Sequence, residues 1–193
     1  PTRSVSAADG SERVALRETA SDESEVIPAI DRLSKRLRER VGESLKSLNN
    51  TDPLEQVSTS SLEALKKYSQ AVRLDDSGGD PVLAVQLMEE AVAADSMFAM
   101  AWRKLSVVTR RANRPFSESL FASQKAYDLR DRLSPLERQL AIANYYSTNE
   151  FDPDAAIAAY KAALEVDSTE RTALNNLALS YIQLGRWEDA EAL

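Results

Sequence analysis

The sequence contains neither cysteine nor histidine. Their absence excludes disulfides, thiolate nucleophiles, Cys/His zinc sites and imidazole acid–base catalysis. A metal ion would have only oxygen ligands, and we expect no cofactor. The formal net charge of −7 disfavours nucleic acid as a partner, because nucleic-acid binding depends largely on neutralising phosphates. No apolar run approaches the roughly 18–20 residues of a membrane-spanning helix, so this chain is not expected to span a membrane.

Glycine and proline are scarce, with five and seven residues, and their positions mark helix boundaries. Four pairs are typical of helix starts, because proline fits the first turn and Asp or Ser accepts a free backbone N–H. The pairs are Asp52-Pro53, Asp80-Pro81, Ser134-Pro135 and Asp152-Pro153. Gly78-Gly79 and Gly185 predict turns after helices.

Small residues recur at a regular spacing from Ser61 onward. One set, with spacings of 35, 37 and 34 residues, consists of Ala84, Ser119, Ala156 and Ala190. A second set, with spacings of 35 and 37, consists of Ala91, Ala126 and Ala163. Because small side chains let helix backbones approach closely, the pattern predicts antiparallel helix pairs, about three and a half in number.

The spacing resembles that of tetratricopeptide repeats, whose unit is about 34 residues. The last unit carries the fullest pattern, with Leu174, Leu177, Ala178, Tyr181, Gly185, Trp187 and Ala190. Earlier units contribute Tyr68, Ala84, Met88, Ala91, Trp102, Leu105, Ala156, Tyr160 and Ala163. The family's proline after the second helix is replaced by Ser96, Asp131 and Ser168. The resemblance covers residues 61–193 and implies an all-α, right-handed solenoid of antiparallel helix pairs.

The N-terminal part has different patterns. Residues 3–18 alternate in polarity around Asp9-Gly10, which predicts a β-hairpin. A helical period then predicts one long helix from Val26 to about Leu48, with an apolar stripe of Ile27, Ile30, Leu33, Leu37, Val41, Leu45 and Leu48. Its basic face fits a nucleic-acid or membrane surface, but a solvated face balanced by nearby acids is favoured. We expect three regions: 1–22 as a hairpin or disordered edge of an α/β domain, 23–60 as linker helix and connection, and 61–193 as the repeat array.

Two stretches, 27–45 and 53–69, resemble the linker that precedes the repeats in bacterial membrane-anchored serine/threonine protein kinases with tetratricopeptide ectodomains. The resemblance implies that a kinase domain, a membrane span and a small α/β domain precede this region. It also implies an extracytoplasmic location, with the cytoplasm as the alternative. Because the chain starts at Pro1 and stops at Leu193 inside a predicted helix, we expect a piece of a longer protein. Its C-terminal end is expected to fray or to self-associate.

Three motifs with a chemical interpretation have simpler structural ones. The segment from Asp75 to Asp80 lacks the order of acidic ligands and the later bidentate Glu of a calcium loop, and a turn between helices explains it better. No glycine-rich phosphate loop is present. Asp152 and Asp154 suit the positive end of a helix dipole better than an acid–base pair. The sequence therefore predicts no catalytic residues and no enzyme.

The candidate binding residues lie on the first helices of the pairs, outside the packing positions. They are Arg103, Lys104, Arg110, Arg111, Asn144, Asn175 and Asn176, to which Tyr145 is a weaker addition. Cations and amides of this kind could hold the carboxylates and backbone of a peptide on a concave face; a merely solvated helix face is the alternative. The interpretation requires that the cations are not paired with Glu89, Glu90 or Glu118. Val107 and Thr172 replace polar residues of the carboxylate clamp found in chaperone-binding relatives.

The sequence thus favours a non-catalytic module that binds a protein or peptide partner, with an acidic segment as the expected ligand. It would be the sensory or scaffolding region of a larger bacterial signalling protein. A structural role in dimerisation or spacing is the alternative, and a helical-repeat RNA binder is disfavoured by the charge. Trp102, Tyr160 and Tyr181 are expected to pack in the core.

Overall fold

The computed structural model describes residues 2–5, 12–40 and 59–193. The chain divides into two compact units, with the boundary between Leu62 and Glu63. Within the described ranges, no helix combines the length and apolar character that crossing a membrane requires.

The N-terminal unit contains the predicted hairpin. Strand β1 (Thr2–Val5) pairs antiparallel with β2 (Glu12–Leu16), and the register shifts between Ser4 and Val5. The predicted turn at Asp9-Gly10 lies outside the described residues. A two-stranded sheet alone is marginal in water, so its contact with the following helix matters for its stability.

That helix, α1 (Val26–Arg40), buries Ile27 but leaves Ile30 42% exposed, so its apolar stripe is narrower than the sequence predicts. The predicted continuation to Leu48 lies outside the described residues. Arg32 and Arg36 reach the Glu18 carboxylate at 2.9 and 2.8 Å. The hydrogen bond from Arg32, with help from Arg36, lowers the pKa of Glu18. Part of the basic face is therefore paired within the unit.

The C-terminal unit is all-α and consists of successive helix pairs. Its helices are α2 (Leu62–Asp76), α3 (Pro81–Ala94), α4 (Ala99–Arg111), α5 (Phe116–Asp128), α6 (Pro135–Tyr145), α7 (Pro153–Val166), α8 (Arg171–Gln183) and α9 (Trp187–Glu191). Helix α4 packs against α5 and α6 against α7, while each second helix also packs against the first helix of the next pair. The predicted helical repeat is confirmed, with a short fourth pair.

Helix starts follow the Asp-Pro and Ser-Pro pairs. Asp80, Ser134 and Asp152 each accept a hydrogen bond from a backbone N–H of the first turn, and proline follows each of them. Asp52-Pro53 lies outside the described residues. Each cap satisfies donors that a helix N-terminus leaves without a partner, which stabilises the start by about 1 kcal/mol.

Both sets of small residues are buried where the helices meet. Ala84, Ser119 and Ala156 are at most 1% exposed, and Ala190 is partly buried. Ala91, Ala126 and Ala163 are fully buried. A larger side chain at these places would push the backbones apart, so these residues determine how closely the helices pack.

Aromatic residues fill the space around these contacts. Tyr160 and Tyr181 are buried in one cluster, as predicted. Trp102 is half-buried and packs against two core clusters, as predicted. Its indole N–H donates to the Ser96 carbonyl at 2.8 Å, and its ring packs edge-on with Phe121. Its polar nitrogen satisfies a carbonyl of the α3–α4 connection.

Each turn within a pair contains a residue with left-handed backbone. These residues are Gly78, Asn113, Phe151 and Gly185. The segment from Asp75 to Asp80 comprises the last residues of α2 and the turn into α3, as the turn interpretation predicts. Phe151 is unexpected because a bulky residue rarely adopts positive φ. It follows a π-helical turn, Tyr146–Glu150. A π turn contains more residues than an α-helical turn, so it makes the third repeat longer in sequence.

The burial of Ala163 predicts that Ala163→Leu overpacks the α7 contact and lowers the free energy of unfolding by about 1–3 kcal/mol. Ala158→Leu is the matched control on the exposed face of the same helix, with a change within about 0.5 kcal/mol. Urea unfolding measures both. Equal stability of the two variants would show that the helix faces are assigned incorrectly.

Candidate functional site

A cavity of about 1070 Å³ lies along the first helices of the pairs. Its wall comes from the end of α2, from α4, from α6 with the π turn, and from α8, with Tyr160 added by α7. Six of the seven candidate residues line it: Arg103, Arg110, Arg111, Asn144, Asn175 and Asn176. The seventh, Lys104, is not among the lining residues. The structure therefore brings together side chains from three separate repeats.

Arg103 and Glu137 form an ion pair at 2.6 Å that joins α4 to the first turn of α6. The Arg103 side chain is 14% exposed and that of Glu137 is 20% exposed. Because most of both side chains is shielded from water, the pair is screened less than one on an open surface. Arg103 thus connects the second repeat to the third and is already neutralised.

Lys104 and Arg111 share one carboxylate, that of Asp75 at the end of α2. Both approach it to 2.6 Å, and the Asp75 side chain is only 6% exposed. Burial alone would raise the pKa of Asp75, but hydrogen bonds from Lys104 and Arg111 outweigh it, and the pKa is lowered. Two cations of α4 therefore hold the second repeat to the first.

None of these three cations pairs with the acids considered in the sequence analysis. Glu89 and Glu118 approach Arg114, and Glu90 binds Lys67. The actual partners lie on other repeats: Asp75 is 36 residues from Arg111 and Glu137 is 34 residues from Arg103, while Lys104 shares Asp75 at a shorter separation. Separations close to one repeat length are the signal in the sequence that could have identified them.

Arg110 differs from the other cations of α4. It makes no ion pair within the described part of the chain, and its guanidinium donates to two neutral oxygens, Thr148 Oγ1 at 3.2 Å and Asn144 Oδ1 at 3.4 Å. Burial against the cavity wall, more than the positive charge of Arg111, lowers the pKa of Arg110. The positive charge of Arg110 therefore faces the cavity, and no carboxylate of the described residues forms an ion pair with it.

Asn144 lines the cavity but is only 8% exposed. Its amide nitrogen donates to Ser106 and Ser123 at 3.1 and 3.0 Å, and its oxygen accepts from Arg110. The amide of Asn144 thus already forms hydrogen bonds with other residues of the protein. Its geometry suits holding Arg110 better than the contact with a peptide backbone that the sequence suggests.

The fourth pair supplies two amides and a further cation. Asn175 is exposed, Asn176 is half-buried, and their side chains lie 3.5 Å apart at a weak mutual hydrogen bond. Arg171, one helical turn before Asn175, also lines the cavity and has no ion pair in the described residues. Sequence reasoning missed Arg171, although its spacing of four residues from Asn175 places the two on one helix face.

Other side chains complete the account of the cavity. Val107 and Thr172, which replace clamp residues, both line it. Tyr145 does not, because its ring stacks on Tyr127 with centroids 4.0 Å apart. Asp76 is the acidic residue of the wall. No cluster of three or more acidic side chains suited to a metal ion occurs in the ranges that the structure describes.

The wall of the cavity carries groups that can form hydrogen bonds and ion pairs. Arg110 and Arg171 supply uncompensated positive charge, and Asn175 and Asn176 supply donors and acceptors for a peptide backbone.

Comparison with known proteins supports this architecture. A family model described as "Tetratricopeptide repeat" matches residues 149–193. These residues span α7, α8 and α9 and contain the fullest repeat pattern. No curated protein matches the chain. The match identifies tetratricopeptide repeat sequence in this part of the chain, and the paired helices before it have a similar architecture. Such repeats generally mediate interactions between proteins.

The shared carboxylate predicts that Asp75→Asn lowers the free energy of unfolding by about 1–3 kcal/mol at neutral pH, since two cations lose a charged partner. Asp76→Asn, with a side chain that is 68% exposed, is the control and should change it by less than about 0.5 kcal/mol.

The pH dependence of the Asp75→Asn effect has a defined sign. The folded-state pKa of Asp75 is below its ordinary value, so the stabilisation exists above about pH 4 and is lost as the pH falls through the folded-state pKa. Chemical denaturation at a series of pH values should show the two curves converging in acid. A constant difference down to about pH 2 would contradict the role of the ionised carboxylate.

Proposed function

We propose that this protein is a non-catalytic module that binds a protein or peptide partner in the cavity along its first helices. The observation that carries the proposal is the convergence of six candidate residues from three repeats on one cavity of about 1070 Å³. Ligand sites commonly measure about 300–1000 Å³. The volume of this cavity is close to the upper end of that range, so it has room for a short peptide segment.

An acidic segment is the ligand that the wall favours. The cations that line the cavity are Arg103, Arg110, Arg111 and Arg171, and the acidic residue that lines it is Asp76. Arg103 and Arg111 are paired with acids on neighbouring repeats, which leaves Arg110 and Arg171 for a ligand. Attraction of this kind accelerates association and weakens as salt is added.

The wider context is part of the proposal. Two stretches resemble the linker of membrane-anchored bacterial kinases, which supports a role as the sensory or scaffolding region of a signalling protein on the extracytoplasmic side. Sequencing the surrounding gene tests this context. We expect the upstream sequence to encode a kinase domain and a membrane span. A gene without either would remove the context and leave peptide binding untouched.

Blocking the cavity tests peptide binding directly. Asn175→Trp places a large ring at the exposed part of the wall and should weaken binding of array-selected peptides at least about tenfold. Ala158→Trp adds the same ring to the exposed face of α7, outside the cavity, and should bind as the unsubstituted chain does. Fluorescence anisotropy measures both. Equal affinities would show that the peptides bind elsewhere.

A structural role through self-association is the second candidate, and exposed apolar residues favour it. Ile182, Leu184 and Trp187 are 41–64% exposed around the α8–α9 turn, and Leu193, after α9, is 51% exposed. Apolar side chains grouped in this way are typical of contact surfaces between proteins.

Self-association predicts a dimer that Ile182→Glu dissociates, with at least about a tenfold increase in the dimer dissociation constant. Val82→Glu, at an exposed apolar position of α3, is the control and should leave the dimer intact. Sedimentation equilibrium distinguishes the outcomes. A strictly monomeric chain at the highest soluble concentration would exclude this role, whereas a dimer unaffected by added peptide would favour it.

A further inference from the structure

A buried polar network lies between α4, α5 and α6, and its Asn144 contacts Arg110, as does the buried Thr148 of the π turn. Ser106, Ser119, Ser123 and Thr148 are each at most 1% exposed, yet all have hydroxyl groups. Apolar residues usually occupy such positions, and a buried hydroxyl costs free energy unless it is hydrogen-bonded. This network therefore needs an explanation beyond packing.

The hydrogen bonds of the network converge on Asn144. Its amide nitrogen donates to Ser106 Oγ and Ser123 Oγ, and Ser106 also lies 3.2 Å from Ser119 Oγ. The serine hydroxyls can donate or accept, whereas a guanidinium can only donate. Arg110 therefore requires the oxygen of Asn144 to face it, and the two serines retain the nitrogen on the other side.

The guanidinium of Arg110 remains able to bind a ligand. Asn144 and Thr148 occupy two of its five N–H donors, which leaves three. Both acceptors are neutral, so they orient the group without cancelling its charge. Two parallel N–H donors are what a carboxylate accepts in bidentate geometry.

We infer that Arg110 is the carboxylate-binding group of the cavity and that Asn144 is the positioning residue that holds its guanidinium there uncompensated. The inference rests on the proposed function, because it names the group that recognises an acidic peptide. Arg103, Lys104 and Arg111 are assigned a different task, the joining of neighbouring repeats. The Arg110 side chain is solvent-exposed on the cavity wall, so a carboxylate can reach its guanidinium.

The test uses the full chain and a fluorescein-labelled hexaglutamate peptide, with hexaglutamine as the uncharged probe. Arg110→Gln keeps hydrogen-bond donors but removes the charge, and should weaken hexaglutamate binding about tenfold or more. Arg114→Gln removes an equal charge outside the cavity, where Arg114 pairs with Glu118, and should leave the affinity unchanged. Hexaglutamate with an amidated C-terminus distinguishes side-chain carboxylates from the terminal one.

Asn144→Asp tests the positioning role, since it preserves shape and places a carboxylate beside Arg110. The serine hydroxyls can rotate to donate to it, so the fold should persist by circular dichroism. Hexaglutamate binding should weaken about tenfold, and its dependence on salt should become shallower. In the Arg110→Gln background the same substitution should have almost no further effect, whereas a purely structural role would give additive losses. Thr148→Val, which removes the second acceptor, provides an independent variant.

The outcomes separate the inference from the proposed function. If Arg110→Gln and Arg114→Gln weaken hexaglutamate binding equally, the inference is overturned and the proposed function still stands. Unchanged affinity in Asn144→Asp and Thr148→Val would overturn the positioning role. An unsubstituted chain that binds neither hexaglutamate nor any array peptide would overturn both proposals together.

Discussion

Close approach of helix backbones at small residues is the constraint on which the repeat unit depends. Ala84, Ser119 and Ala156 are at most 1% exposed, and their repeat partners Ala91, Ala126 and Ala163 are completely buried. Where two helices meet at such residues, a single methylene changes the distance between their axes. The cavity follows from this spacing, because its wall is assembled from helices whose separations the small residues determine.

The cations of α4 show how charge supplements packing in an array of repeats. Arg103 reaches forward to Glu137, and Lys104 and Arg111 reach back to Asp75, so one helix is tied to the repeats on both sides. Each repeat contacts only its neighbours, and interactions between adjacent units contribute much of the stability of such arrays. A stripe of positive charge on a first helix can therefore be structural even though it borders a cavity.

Arg110 belongs to the same stripe but has neutral partners, and the difference arises from its surroundings. It faces Asn144 and Thr148, and Thr148 lies in the π turn Tyr146–Glu150. That turn also precedes Phe151, which adopts a left-handed conformation that is costly for a bulky residue. The irregular part of the third repeat thus supplies an acceptor for the cation that faces the cavity.

The sequence by itself determined the helical repeat. The Asp-Pro and Ser-Pro helix starts are local signals, and the small and apolar residues recur at regular intervals, so both can be recognised without the tertiary structure. The sequence also predicted the hairpin; six of its candidate binding residues line one cavity, and their role in binding a peptide stays a prediction. Only the tertiary structure decided which cations are neutralised, since Asp75 and Glu137 lie about one repeat away and several acids compete at similar separations. The same holds for Asn144: an asparagine on a first helix is compatible with ligand contact or with burial, and only the positions of Ser106 and Ser123 across the helix interface determine which occurs.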